Sequence, residues 1–166
     1  MKYYFLILFL LLYPLTIFAL FPLQELPMDK KEESEVPLTE DLMKEHGVLN
    51  RLLLIYEEII KRIDTNIDFP IAILKQAVEI TKSFIGDYHE KLEEDYVFPI
   101  FEINKKETRL VRTLKNQHAK GREITAQLHQ LVATNTLEPK DKKMIKTLLQ
   151  KYITMYRPHE AREDTV

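Results

Sequence analysis

Four of the five histidines in this chain stand where an amphipathic helix should carry leucine. They are His46, His89, His118 and His159, and two are followed four residues later by glutamate, as His89-Glu93 and His159-Glu163. On a helix, residues i and i+4 lie one turn apart on one face. Each pair therefore sends an imidazole and a carboxylate into the same space. A carboxylate can bridge two cations, and imidazoles can cap each cation from the side. An ionised carboxylate buried without a partner costs several kcal/mol, which a marginally stable domain does not readily absorb. A pair of divalent cations removes that cost. His46, His89, Glu93, His118, His159 and Glu163 are thus the candidate ligands of a dinuclear metal site. Nitrogen and oxygen donors without sulfur suit iron or manganese, and zinc is also compatible.

The elements that must position these residues are helices. The first begins with Thr39 as the expected N-cap and Glu40 and Asp41 at the positive end of the dipole. Its inward seam reads Leu42, His46, Leu49, Leu53, Tyr56, Ile60 and Ile63, in steps of four and three. A polar turn through Thr65, Asn66 and Asp68 follows, and Pro70 suits the first helical position of helix two. That seam reads Leu74, Val78, Thr81, Ile85, His89, Leu92, Glu93 and Tyr96, and Pro99 is expected to end it. Helix three is expected from about Lys106 to Thr134, with Val111, Leu114, His118, Gly121, Thr125, Leu128 and Val132 inward. Helix four is expected from about Pro139, with Ile145, Leu148, Leu149, Tyr152, Met155, His159 and Glu163 inward. No strand pattern competes. Short connections make this an all-α, up-down-up-down antiparallel four-helix bundle. In such a bundle the starts of odd helices and the ends of even ones share one end. At ~1.5 Å per residue, all four histidines fall roughly 10–17 Å from that end, in one layer.

Composition bounds the rest. The net charge of -2 gives no basic footprint for nucleic acid. The absence of cysteine excludes disulfides, thiolate metal sites and a cysteine nucleophile. Residues 1–20 carry one charge, Lys2, before a long apolar run ending near Ala19, the pattern of a signal peptide or a membrane anchor. Residues 21–37 form a linker with three prolines and the charged run Asp29-Lys30-Lys31-Glu32-Glu33. The bundle then occupies residues 38–166. Export follows as the expectation, to a periplasmic or extracellular space or to a membrane that only the N-terminal segment touches.

The stretches D-L-M-K-E-H to His46, Y-H-E-K-L-E-E-D-Y-V-F-P from Tyr88 to Pro99, L-K-N-Q-H to His118 and M-Y-R-P-H-E-A-R-E-D from Met155 to Asp164 together resemble the hemerythrin-like, or HHE cation-binding, family. The resemblance runs from about Asp41 to Val166. It implies a four-helix bundle with a non-haem di-iron centre of two iron ions. Glu93 and Glu163 would map to bridging carboxylates, and His46, His89, His118 and His159 to terminal ligands. Two departures set this chain apart from the oxygen carriers of that family. Arg122 stands where they have a second histidine on helix three, and Glu163 follows His159 by four residues where they have an aspartate at five. The pattern is closer to the bacterial regulatory and iron–sulfur-repair branch, with four histidines and two glutamates. More open metal positions are implied, favouring reaction with O2, nitric oxide or peroxide over stoichiometric oxygen transport. By the same comparison the chain reads as ending early at Val166, which would loosen Glu163.

Other residues weigh less. His129 lies ~16 Å along the helix from His118, too far to join the site. Pro158, inside helix four, either aims His159 through a kink or is tolerated near a helix end. Tyr56, Tyr96, Tyr152 and Tyr156 are expected near the cavity, as core packing ahead of redox work. Glu45, Glu90, Glu94, Glu160 and Asp164 are expected on a mostly solvated face, within reach of the ligand imidazoles. No Ser-His-Asp order, glycine-rich phosphate loop or H-E-x-x-H zinc motif is present. The expected function is that of an iron protein that binds O2 or a related diatomic for sensing, scavenging or iron handling. A di-iron oxidase or peroxidase and a metal-free structural bundle are its rivals.

Overall fold

The computed structural model describes residues 38–134 and 136–165. The expected signal or anchor (1–20) and linker (21–37) lie outside them. Among the described residues the only regular structure is helical, and no helix is long and apolar enough to cross a membrane.

Helix α1 spans Leu38–Asp64, with Glu40 and Asp41 in its first turn and Lys61 and Arg62 in its last, each sign matched to the helix dipole. It begins at Leu38, so Thr39 lies inside the helix and is not its N-cap. The helix closes through Asn66 in the left-handed region, φ 54°. Asn66 N–H donates to Ile63 O and Ile67 N–H to Arg62 O, the paired bonds of a Schellman end.

The second rod is continuous from Ile71 to Ile103 but not uniform. It runs through α2 (Ile71–Ile80), π1 (Thr81–His89), α3 (Glu90–Leu92), π2 (Glu93–Val97) and α4 (Phe98–Ile103). Pro70 is extended, with ψ 113°, and caps this rod from outside rather than opening it. Pro99 does not stop the rod as expected, because it sits in the first turn of α4, directly after a widened π turn. There the loss of one N–H and the bulk of the ring are tolerated. The rod ends in a second Schellman closure around Lys105, with Lys106 N–H on Phe101 O at 3.0 Å.

Helix α5 spans Thr108–Leu131, shorter at both ends than expected, and α6 spans Pro139–Glu163 behind a reciprocal Glu138–Asp141 capping box. Lys146, early in α6, pairs with Asp64 at the end of α1, while Asp164 beyond the end of α6 meets His46 near the start of α1. Lys115 early in α5 meets Glu102 late in the second rod. Neighbouring rods are therefore antiparallel.

The expected seam of the third helix is buried throughout, from Val111 to Val132. In α1, Ile60 and Ile63 are only half-buried. In α6, Tyr156 takes the inward place expected of Met155. Tyr96 is 61% exposed, contrary to the expected seam, and Phe98 is buried in its stead. The π2 turn carries five residues per hydrogen-bonded step, with Phe98 N–H on Glu93 O, so the inward face advances from Glu93 to Phe98. Two apolar clusters result. The large one includes Leu49, Leu53, Val78, Leu128 and Leu149, and the small one is Phe98, Val111 and Leu114. The histidine layer lies between them.

Candidate metal centre

Each rod supplies ligands to this layer. His46 comes from α1, His89 and Glu93 from the second rod, His118 from α5, and His159 and Glu163 from α6. The four histidines and Glu93 are buried, and the Glu163 side chain is only 7% exposed. Glu93 Oε2 lies 3.4 Å from His118 Nε2 and 3.7 Å from His89 Nε2. Glu163 lies 3.1 Å from His159 Nε2 and 3.7 Å from His118 Nε2 through Oε1, and 3.5 Å from His46 Nε2 through Oε2. Two donor groups emerge, each with its donor atoms within 4.8 Å of one another: Glu93, His118, His159 and Glu163 in one, and His46, His89 and Glu93 in the other. Glu93 belongs to both. All six residues expected as ligands converge.

The outward nitrogens explain why the inward ones face the centre. His46 Nδ1–H donates to Asp164 at 2.8 Å, and His89 Nδ1–H to Glu45 at 2.8 Å. His118 Nδ1–H donates to Glu94, and His159 Nδ1–H to the Gln117 amide oxygen, both at 3.1 Å. Carboxylate and amide oxygens at these positions only accept, so the hydrogen is fixed on Nδ1 and the lone pair on Nε2. An imidazole held this way is oriented to ligate a cation. His46 Nε2, Glu93 Oε2 and both Glu163 oxygens are buried and lack hydrogen-bond partners among the described residues. Buried polar atoms are rarely left so. This donor set and its orphaned oxygens fit cations at the centre.

Electrostatics points the same way. Burial raises the Glu93 carboxyl, and repulsion from Glu163, Glu90, Glu45 and Glu94 adds to it, lifting it to about 9. Burial also pushes Glu163 up, but the imidazoles of His118, His159 and His46 that face it, when protonated, outweigh burial and hold this carboxylate well below its usual range. Burial depresses His89 and His159 despite their carboxylate partners. In His46 burial is outweighed by Glu163 and Asp164, and the ring is raised. Without a cation the core keeps one carboxylate neutral and the other charged. A cation lets both ionise.

Around this set the outcome is mixed. Glu45, Glu94 and Asp164 do bond ligand imidazoles, but Glu90 and Glu160 are buried, not solvated. Glu90 follows Ile85 by five residues, and only the π1 widening brings both inward, a signal that α periodicity does not carry. Burial lifts Glu90 to about 7 against the pull of His118, Tyr156 and Arg122. Glu90, Glu94 and His118 also converge, but Arg122 Nη1 occupies that group, at 2.6 Å from Glu90 and 2.9 Å from Glu94. Gln117 was not anticipated as a partner of His159. His129 lies outside the site, half-exposed beside Glu79. A cavity of about 320 Å³, walled by Leu42, Val97, Phe98, Leu110, Val111 and Leu114, reaches His46, Glu93 and Glu163.

Comparison with known proteins gives a consistent picture. The family model for the hemerythrin HHE cation binding domain matches residues 38–166. The chain is 46% identical over 143 residues to the uncharacterized proteins Rv1995 and MT2051 of two Mycobacterium tuberculosis strains and Mb2018 of Mycobacterium bovis. The match covers 83% of this chain and 55% of each relative, so the chain spans about half the length of the curated relatives it matches. No solved structure matches the chain significantly.

Proposed function

The chain belongs to the hemerythrin HHE cation-binding domain family, and on that premise we propose that it is a non-haem di-iron protein. In this reading it binds O2, or a related species such as nitric oxide or peroxide, for sensing, scavenging or iron handling. The sharing of Glu93 between two donor groups carries the reading, because it supplies what a cation pair needs and a single ion does not. His118 and His159 would hold one ion and His46 and His89 the other, with Glu93 and Glu163 each facing both groups. Manganese or zinc would suit the same donors. When bound, iron supplies an open coordination position and electrons for a diatomic ligand.

The protein's own groups set the conditions. Glu45, Glu94, Asp164 and Gln117 hold hydrogens on the outer imidazole nitrogens and aim the inner ones. Phe98 stacks on His118 with ring centroids 5.5 Å apart, and with Val111 and Leu114 it lays an apolar wall beside the layer. Arg122 is tied to Glu90 and Glu94 and offers no lone pair, so the α5 rod contributes His118 alone. The apolar cavity beside His46 suits a small, weakly polar ligand.

The test is to add O2, nitric oxide and peroxide separately to the reduced, iron-loaded chain and follow optical absorption. A new charge-transfer band with at least one of them supports the reading, and an unchanged spectrum with all three contradicts it. Sustained turnover with peroxide and a reductant would instead favour the oxidase or peroxidase reading. We further propose export, on the strength of the apolar run in residues 1–20. Cell fractionation tests it.

A further inference from the structure

Three tyrosines run through the core beside the histidine layer, and packing alone does not account for their hydroxyls. The Tyr156 ring meets His159 edge-on, with centroids 5.2 Å apart, and stacks on Tyr152 at 4.2 Å. Tyr152 meets Tyr56 edge-on at 5.8 Å. All three are almost wholly buried. Phenylalanine would fill the same volume without burying an oxygen. Tyr156 Oη donates to the buried carboxylate of Glu90, which Arg122 holds from the other side. Tyr152 Oη has no hydrogen-bond partner among the described residues. Gly121 makes room for this arrangement, since a Cβ there would run into the Tyr156 hydroxyl. A groove of about 280 Å³ between π1 and α5 reaches Tyr152, Tyr156 and Glu90, past Lys82, Asp87 and Arg122. Its volume is just below the usual range for a small-molecule site.

We propose that Tyr156 is a redox-active tyrosine that passes electrons, one at a time, from a small organic reductant in this groove to the metal centre. The inference rests on the di-iron reading above, in its peroxidase form. The oxidant is hydrogen peroxide, which with two electrons, relayed one at a time through Tyr156, and two protons becomes two waters. Tyr156 gives up one electron, its O–H bond breaks, and the proton moves along the hydrogen bond to Glu90. A neutral tyrosyl radical is left. A donor in the groove, a phenol or an enediol, then gives one electron to Tyr156 across the groove wall and releases its own proton to solvent, while Glu90 returns the first proton to the Tyr156 oxygen. The phenol is restored and the donor becomes a radical. Two such rounds consume two donor hydrogens and one peroxide. The two protons that the donors release equal the two that water formation takes up.

The test is freeze-quench electron paramagnetic resonance of the full chain, loaded with iron and mixed with hydrogen peroxide, with iron measured on the same sample. The wild type should give a tyrosyl radical, and Tyr156→Phe should lose it at unchanged iron content. Added ascorbate should quench the radical more slowly in Ala126→Trp, whose indole fills the groove from its exposed rim. Mass-spectrometric location of a spin-trap adduct in the wild type gives a second readout, expected at Tyr156. Iron-loaded protein without a radical, a radical that persists in Tyr156→Phe, quenching by ascorbate as fast in Ala126→Trp as in the wild type, or an adduct confined to exposed Tyr88 or Tyr96 overturns the inference and leaves the metal reading standing. A chain that takes up no iron overturns both.

Discussion

His118 and His159 face each other nitrogen to nitrogen, with Nε2 atoms 3.1 Å apart and both rings buried. Glu94 and Gln117 fix the hydrogen of each ring on Nδ1. Two lone pairs at that distance repel unless a proton or a cation lies between them. With Glu163 Oε1 3.1 Å from His159 Nε2, the three atoms frame a cation position rather than an apolar contact.

The layer should lose metal in a graded way. Glu93 serves both donor groups, so Glu93→Ala should abolish binding of both ions. His89→Ala should remove the ion of the His46 group first, and His129→Ala should bind as the wild type does. Metal content after dialysis checks this. Equal loss in His129→Ala would mean the layer is wrongly placed.

A residue that touches no cation should also matter. Glu45 holds His89 through a 2.8 Å hydrogen bond. Glu45→Ala should weaken metal affinity roughly 10–100-fold, the usual cost of losing such an orienting partner. Competition against a chelator measures it, and unchanged affinity would show that packing alone orients His89.

Stability of the metal-free chain should fall as pH rises. Glu93 is lifted from 4.5 to about 9, and Glu90 and Glu160 to about 7, each chiefly by burial. A carboxyl raised on folding is protonated in the native state while the unfolded state has lost its proton. Its contribution is complete below about pH 4.5 and is lost as pH rises through the folded value. Glu163, depressed on folding, acts oppositely, and its contribution is lost as pH falls. Thermal melts of chelator-treated protein should therefore decline from neutral pH toward about pH 9, the window in which Glu93 still titrates. Melts of metal-loaded protein should not show this decline.

Gly121 should not tolerate a methyl group. Gly121→Ala places Cβ against the Tyr156 hydroxyl. Overpacking of this kind costs about 1–3 kcal/mol. A denaturant midpoint within error of the wild type would show that Tyr156 can swing aside.

The bundle and all six converging residues were legible because they obey α-helical periodicity in α1, α5 and α6, and because His89-Glu93 keeps i,i+4 spacing across α3. What escaped lies where that period breaks. The π turns shift the inward face from Tyr96 to Phe98, carry the rod through Pro99 and bury Glu90. No residue in the stretch from Thr81 to Val97 announces a widened turn. Glu160 is a different case, since it lies next to His159 on regular helix and is buried where α6 closes on α1. A carboxylate beside a ligand gives no sequence sign of which side it takes.

The most direct measurement is the iron content of the purified chain, isolated without oxygen and again after reconstitution. Two irons per chain, falling to none in Glu93→Ala, is the predicted result. A chain that holds one ion, or none after reconstitution, would contradict a centre in which Glu93 bridges two cations.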